Sequence, residues 1–238
     1  MCEHYIARAA EPFALRELWP FTDRLERYGL AGFGWGAAWI AEDGGLRSHR
    51  DVRAFRDDHE GGMAVGMERT TAALVHLRRP SKLSTLALPD TQPFDDPRGR
   101  FSFSHNGDLR DYRPLRREYQ AQGRIHGRAD TEVGARWLED AWRPDAAVGP
   151  VLHELHDRFG GQANLAVLTK SGGAHHYAGN RENPVFAFRL GRIGIAGTGI
   201  YSLDRSVFRF VAPGATERRL VPLRSTASLD REGRPAAA

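Results

Sequence analysis

Apolar residues recur at near-helical spacing along "FALRELWPFTDRLERY" (13–28), which predicts a helix with Pro20 as a break or kink. The pattern then changes period. "GFGWGAAWIAEDGGLRSH" (32–49) reads as two strands around a turn at Asp43-Gly44-Gly45. "TAALVHLRR" (71–79) reads as a short buried strand. "RFSFSHNGDL" (100–109) alternates Phe101 and Phe103 on one face and is expected to stop at a turn at Asn106-Gly107.

Helical patterns follow in "DYRPLRREYQAQG" (111–123), "DTEVGARWLEDAW" (130–142) and "PVLHELHDRFGG" (150–161). Gly123 ends the first of these, and Asp130 or Thr131 is the expected N-cap of the second. "QANLAVLTKSGGAHHYAG" (162–179) and "PVFAFRLGRIGIAGTG" (184–199) read as hairpins, turning at Ser171-Gly172-Gly173 and at Leu190-Gly191. Residues 203–223 add one or two strands. Strands in hairpins, with helices grouped between 109 and 160, define an α+β fold rather than alternating βαβ units. One domain is expected over 2–224, and the small, polar stretch 225–238 is expected to be a disordered tail.

Composition narrows the classes. The chain has 238 residues, of which 41% are hydrophobic, an ordinary globular proportion able to bury a sizeable core. No apolar run approaches the ~18 residues of a membrane span. Glu3, His4, Arg8 and Glu11 interrupt any leader-like apolar region. A single cysteine excludes a disulfide framework, so a cytoplasmic protein with no membrane partner is expected. The net charge is +4, but Lys82 and Lys170 are the only lysines among 34 basic residues. Arginines alternate with acids, as in "RDVRAFRDDHEG", which describes a salt-bridged surface rather than a phosphate-binding stripe. No nucleic-acid partner is expected.

The lone thiol, Cys2, stands at the second position. A thiolate is the reactive form, and a free thiol has a pKa of about 8.5. Once Met1 is removed, Cys2 carries an α-amine with a pKa of about 7.7–8.0, which can serve the neighbouring thiol as a general base. Other candidate motifs fail. "HELH" sets His153 and His156 three apart, whereas the metalloprotease pattern needs four. His175-His176 lie in a hairpin, and "GIAGTG" follows a hairpin strand with its glycines in the wrong order for a dinucleotide. Neither a metal nor a cofactor is expected.

Cys2, the glycine-rich "GFGWGAAW", Arg78 in "ALVHLRRPS", Asn106-Gly107 in "FSFSHNGDL" and Asp130 in "GRADTE" occur in this order. The ordered set resembles the glutaminase domain of the class II glutamine amidotransferases, which are N-terminal nucleophile hydrolases. It spans residues 2–140 by motif. The resemblance implies a four-layer αββα sandwich and a thioester mechanism on Cys2. It assigns Asn106 and Gly107 to the oxyanion, Arg78 to the substrate α-carboxylate and Asp130 to the α-ammonium group. Two departures stand out: "TQPF" puts Gln92 where relatives often have His before Pro, and "GIAGTGIYSLD" replaces a Ser-Glu-Pro element, affecting Gly197–Gly199.

The first reading is a glutaminase that passes ammonia to a separate synthase, since no second domain is expected in the chain. The second is a hydrolase of another γ-glutamyl amide. The third, a non-catalytic regulatory protein of the same fold, is disfavoured by the intact set of Cys2, Arg78, Asn106 and Asp130.

Overall fold

The structure is a computed structural model that describes residues 2–143, 146–200 and 206–235. Among the described residues twelve strands form two antiparallel sheets. The strands are β1 (Glu3–Ala14), β2 (Trp35–Ile40), β3 (Leu46–Asp51), β4 (Arg69–Leu77), β5 (Phe94–Asp95) and β6 (Phe101–Asp108). They continue with β7 (Gln162–Thr169), β8 (Ala174–Ala178), β9 (Val185–Leu190), β10 (Ile193–Thr198), β11 (Thr216–Leu220) and β12 (Ser225–Leu229). The seven-stranded sheet runs β11-β9-β10-β1-β4-β2-β3 and the five-stranded sheet β12-β8-β7-β6-β5.

Helices α1 (Trp19–Gly29), α2 (His59–Met67) and α6 (Val207–Phe210) accompany the larger sheet. Helices α3 (Arg113–Ala121), α4 (Asp130–Ala141) and α5 (Val148–Phe159) cover the smaller one. Three apolar clusters mark the layers. Tyr5, Phe21, Leu25 and Phe188 pack between the larger sheet and its helices. Phe103, Val133, Leu155 and Leu165 do so on the other side. Ile6, Leu74, Ala166 and Leu168 fill the space between the sheets. The expected αββα sandwich is the fold observed.

Local departures have physical causes. β1 is central and buried on both faces, with Tyr5 and Ala7 in one cluster and Ile6 in another, so it lacks the alternation that marks a half-exposed strand. Sequence pattern therefore left 3–12 unassigned. The helix expected from residue 13 begins with a 3-10 turn (Leu15–Leu18), and Pro20 starts α1 rather than kinking it. α2 is hidden by three glycines in "HEGGMAVGM". A Cβ on Gly66 would come within 2.6 Å of the Trp19 indole nitrogen, so close packing demands the glycine.

Two expectations fail. Residues 225–229 are no disordered tail: β12 pairs with β8 from Ser225↔Ala178 to Leu229↔Ala174 and buries Ala227 and Leu229 against the inter-sheet core. The polar composition that suggested disorder is that of an edge strand with one wet face. Asn106-Gly107 is not a turn either; both residues lie inside β6, opposite Asn164 and Ala163 of β7. Residues 207–220 supply α6 and the single strand β11, while Tyr201–Arg205 lie outside the described residues. No helix among the described residues is long and apolar enough to cross a membrane.

Candidate active site

Strand register builds the site. Glu3 opposes Leu77, so the antiparallel pair β1–β4 brings Cys2, just before β1, beside Arg78 and Arg79, just after β4. The Arg79 N–H points at the Cys2 sulfur at 3.4 Å, and the Cys2 thiol faces the Arg79 carbonyl at 3.7 Å. Burial pushes the Cys2 thiol pKa up, an effect opposed by the Arg79 N–H and the Arg78 charge.

A cleft of about 460 Å³ opens at this end of the sandwich and is lined by Cys2, Arg78, Gln92, Gly107 and Asp130 among others. Four of the five residues singled out in the sequence thus share one cavity. The fifth, Asn106, lies fully buried behind it and donates its side-chain amide to the Cys2 carbonyl. Gly107 has φ +134°, and a Cβ there would lie 1.6 Å from the Gln162 carbonyl oxygen, so no other residue fits.

Arg78 is 4% exposed and donates through Nη2 to the Thr85 carbonyl. Its Nη1 is buried with no protein partner among the described residues, and burial lowers the guanidinium pKa. A buried cation with one uncommitted corner favours an anionic ligand. Asp130 occupies the first turn of α4; Ala129, not Asp130, holds the N-cap position. Its carboxylate accepts from the Leu109 N–H at 2.7 Å and from the Thr131 N–H at 2.9 Å.

Gln92 fastens the cleft wall. Its Oε1 accepts from the His105 N–H at 2.7 Å and its Nε2 donates to the His105 carbonyl at 3.1 Å. This side chain acts as a short extra strand along β6, so the departure at Gln92 has a structural task that needs no titration. Thr198, in the other departure, donates to Glu3 and accepts from the His4 N–H at 3.1 Å. Sequence reading missed Asp90, which is 2% exposed and accepts from the Ala129 N–H at 2.6 Å and also from Arg128. It shapes the loop that presents Asp130. A lone Asp after Pro in a loop carries no periodic signal.

Residues 82–188 match a family model described as a glutamine amidotransferase domain. Asn106, Gly107 and Asp130 lie inside the match, whereas Cys2 and Arg78 precede it. No curated protein matches the chain in sequence. Among solved structures, glutamine phosphoribosylpyrophosphate amidotransferase from B. subtilis superposes with a TM-score of 0.74 at 17% identity, covering 98% of this chain and 48% of that one. The chain therefore spans about half the length of that enzyme. A glutamine aminotransferase class-II domain protein from Silicibacter pomeroyi gives a TM-score of 0.59 at 16% identity, covering 99% and 100% of the two chains. A predicted glutamine amidotransferase from Pseudomonas aeruginosa gives 0.56 at 15% identity, with both chains fully covered. The chain is thus similar to glutamine amidotransferase domains in sequence over 82–188 and shares the fold of these structures across the described residues. The fold is that of the N-terminal nucleophile hydrolases.

Beneath the cleft, between the sheets, lies a buried histidine cluster. Ser104 Oγ sits 2.9 Å from His4 Nδ1 and 2.7 Å from His76 Nδ1, and the rings of His4 and His176 are 4.5 Å apart. Burial depresses all three imidazoles, His4 and His76 strongly and His176 to about 4. Their folded pKa lies below the unfolded value of 6.5, so the native state binds fewer protons and loses stability as pH falls from 6.5 towards 4. Glu3 acts oppositely: burial raises its carboxyl to about 7, so the native state takes up one proton between pH 7 and 4.5. Three groups outweigh one. Urea midpoints should fall between pH 6.5 and 4.5, more steeply than the ~1.4 kcal/mol per pH unit of a single histidine. A flat profile would mean that these imidazoles are not neutral and buried.

Proposed function

We propose that the protein hydrolyses the side-chain amide of glutamine through a thioester on Cys2 and supplies ammonia to a separate synthase in the cytoplasm. The observation that carries this reading is the convergence of Cys2, Arg78, Gly107 and Asp130 on one cleft, with Asn106 holding the Cys2 backbone. In this reading Met1 is removed and the Cys2 α-amine takes the thiol proton. The sulfur attacks the amide carbon, and the negative oxygen accepts hydrogen bonds from the Asn106 Nδ2 and the Gly107 N–H. An amide nitrogen carries two hydrogens, so Asn106 can serve the Cys2 carbonyl and the oxyanion together. The amine returns its proton to the departing nitrogen, ammonia leaves, and water cleaves the thioester to glutamate. Arg78, with its uncommitted Nη1, takes the α-carboxylate, and Asp130 takes the α-ammonium.

A second reading, a larger γ-glutamyl amide as substrate, is favoured by the charge of the cleft mouth. Arg79, Lys82, Arg113 and Arg128 line the cleft in addition to Arg78, and none of these four forms an ion pair among the described residues. Asp90 and Asp130 are committed to backbone N–H groups. Glutamine offers one carboxylate; a γ-glutamyl amide with a carboxylate on its amine side offers two. Were that the substrate, its kcat/KM would exceed that of glutamine and fall faster with added salt, because exposed charges are screened. Arg113→Gln with Arg128→Gln would erase the difference. Equal salt dependence for both substrates would leave glutamine as the better reading.

Two further outcomes test the mechanism. Cys2→Ala should abolish ammonia release without changing the melting temperature. An uncleaved N-terminal extension should do the same, because an amine in a peptide bond loses its basic lone pair, and proteolysis that frees Cys2 should restore turnover. Full activity in an extended protein, its N-terminus verified by mass spectrometry, would remove the α-amine from the mechanism. Separately, Arg78→Lys should raise KM for glutamine at least tenfold with a smaller change in kcat, since a point charge does not replace a bidentate fork. An unchanged KM would end the assignment of Arg78.

A further inference from the structure

Asn106 sits within a group of buried asparagines that the mechanism above does not use. Asn164, on β7, is directly opposite it in the β6–β7 register. Asn180 and Asn183 lie in the connection from β8 to β9, where the chain crosses from the smaller sheet to the larger. All four side chains are at most 1% exposed.

The orientation of each amide can be settled from backbone partners alone. Asn164 Oδ1 accepts from the N–H groups of Gly179 and Asn180, both at 3.1 Å. Its Nδ2 donates to the Asn183 carbonyl at 2.7 Å. A backbone N–H only donates and a backbone carbonyl only accepts, so the Asn164 amide cannot be flipped. Asn180 is held likewise, its Oδ1 accepting from the N–H groups of Glu182 at 2.9 Å and Asn183 at 3.3 Å. Both side chains therefore turn their NH₂ groups towards Asn106. Asn106 Oδ1 receives Asn164 Nδ2 at 3.2 Å and Asn180 Nδ2 at 3.5 Å. With its oxygen so occupied, the Asn106 NH₂ must face Cys2, where the Cys2 carbonyl accepts from it.

The chain of contacts closes on the nucleophile from its other side. Asn183 Nδ2 lies 3.2 Å from both oxygens of Glu3, the residue after Cys2, and Asn183 Oδ1 accepts from the Gly199 N–H at 3.2 Å. A flipped Asn106 would set two donors against two donors and its oxygen against the Cys2 carbonyl. Among side chains this buried, that arrangement is strongly disfavoured.

We infer that Asn164 and Asn180 are positioning residues that lock the Asn106 amide with its NH₂ towards Cys2, so that the oxyanion donor is set before substrate arrives. This rests on the amide-hydrolysing reading of the cleft, but the orientation is a separate claim. Preorganised donors accelerate because they need no rearrangement as charge develops. Losing the lock costs kcat and leaves head-group binding alone.

The test compares Asn164→Ala, Asn164→Asp and Asn180→Ala in protein with Cys2 exposed. Asn164→Ala should lower kcat for glutamine by on the order of 10²-fold, the scale of an oxyanion donor, with KM unchanged. Alkylation of Cys2 by iodoacetamide, a displacement without an oxyanion, should keep its wild-type rate. Asn164→Asp puts a carboxylate oxygen against the oxygens of Asn106 and Asn183. It should be nearly inactive at alkaline pH and regain kcat as pH is lowered, because the protonated carboxyl again donates. A packing role alone gives no such profile. If Asn164→Ala does not fold, Asn180→Ala and the pH profile of Asn164→Asp decide. Wild-type kcat in Asn164→Ala or Asn180→Ala, or a kcat loss matched by an equal loss of alkylation, would overturn the inference. Turnover-independent support comes from nitrogen-edited NMR. The Asn106 side-chain NH₂ should be protected from exchange in the wild type and lose protection in Asn164→Ala; unprotected wild-type protons would also overturn it. A wild-type protein inert to glutamine and to γ-glutamyl amides would instead sink the amidase reading, and the NMR result would still decide the orientation.

Discussion

A buried polar group is costly without a partner, and at the cleft end of this sandwich that constraint organises Asn106 and the amides around it. The inter-sheet core is aliphatic around Leu74 and Leu168 but polar around Ser104 and Asn106. Across the gap Ser104 meets the imidazoles of His4 and His76 and Asn106 meets other amides, while His4 and His76 each keep Nε2, and His176 both ring nitrogens, buried with no protein partner among the described residues. Ser104 on β6 joins histidines from β1 and β4, and Asn106, two residues along the same face, meets asparagines of β7 and of the β8–β9 connection. The result ties the sheets together where the nucleophile sits. It also fixes, through donor and acceptor identity alone, which way each amide points.

That polar seam explains what the sequence made legible. Hairpins were readable from the glycine turns that join their strands, although β2, β7 and β10 are buried on both faces, and helices from their apolar stripes. The central strand β1 and the glycine-bearing α2 were not: the first is dry on both sides with no glycine turn beside it, and in the second Gly66 is forced by close packing against Trp19. β12 was read as a tail since its polar residues outnumber Ala227 and Leu229, the two that matter for burial.

The candidate site was legible to a different degree. Cys2, Arg78, Asn106, Gly107 and Asp130 stood out through order and spacing, and the structure gathers them. Their supports did not stand out. Asp90, Asn164, Asn180 and Asn183 act through backbone groups brought together by strand register and by a loop between sheets, neither of which has a local signature. The Asn106-Gly107 pair shows the limit of motif chemistry. Read locally it is a turn; in the fold it is a strand position where a left-handed glycine presses against the Gln162 carbonyl.

The position of β1 has a consequence for how the molecule comes into being. β1 is flanked by β4 on one side and by β10, residues 193–198, on the other. Arg8 of β1 also donates to the Leu229 carbonyl of β12 at 3.0 Å. β10 follows β1 by about 180 residues, so during synthesis one edge of β1 stays unpaired until β10 has emerged. Pairing of such sequence-distant segments is slow, because loop closure precedes its reward. The β10 edge of β1 is therefore covered late, when strands distant in sequence arrive.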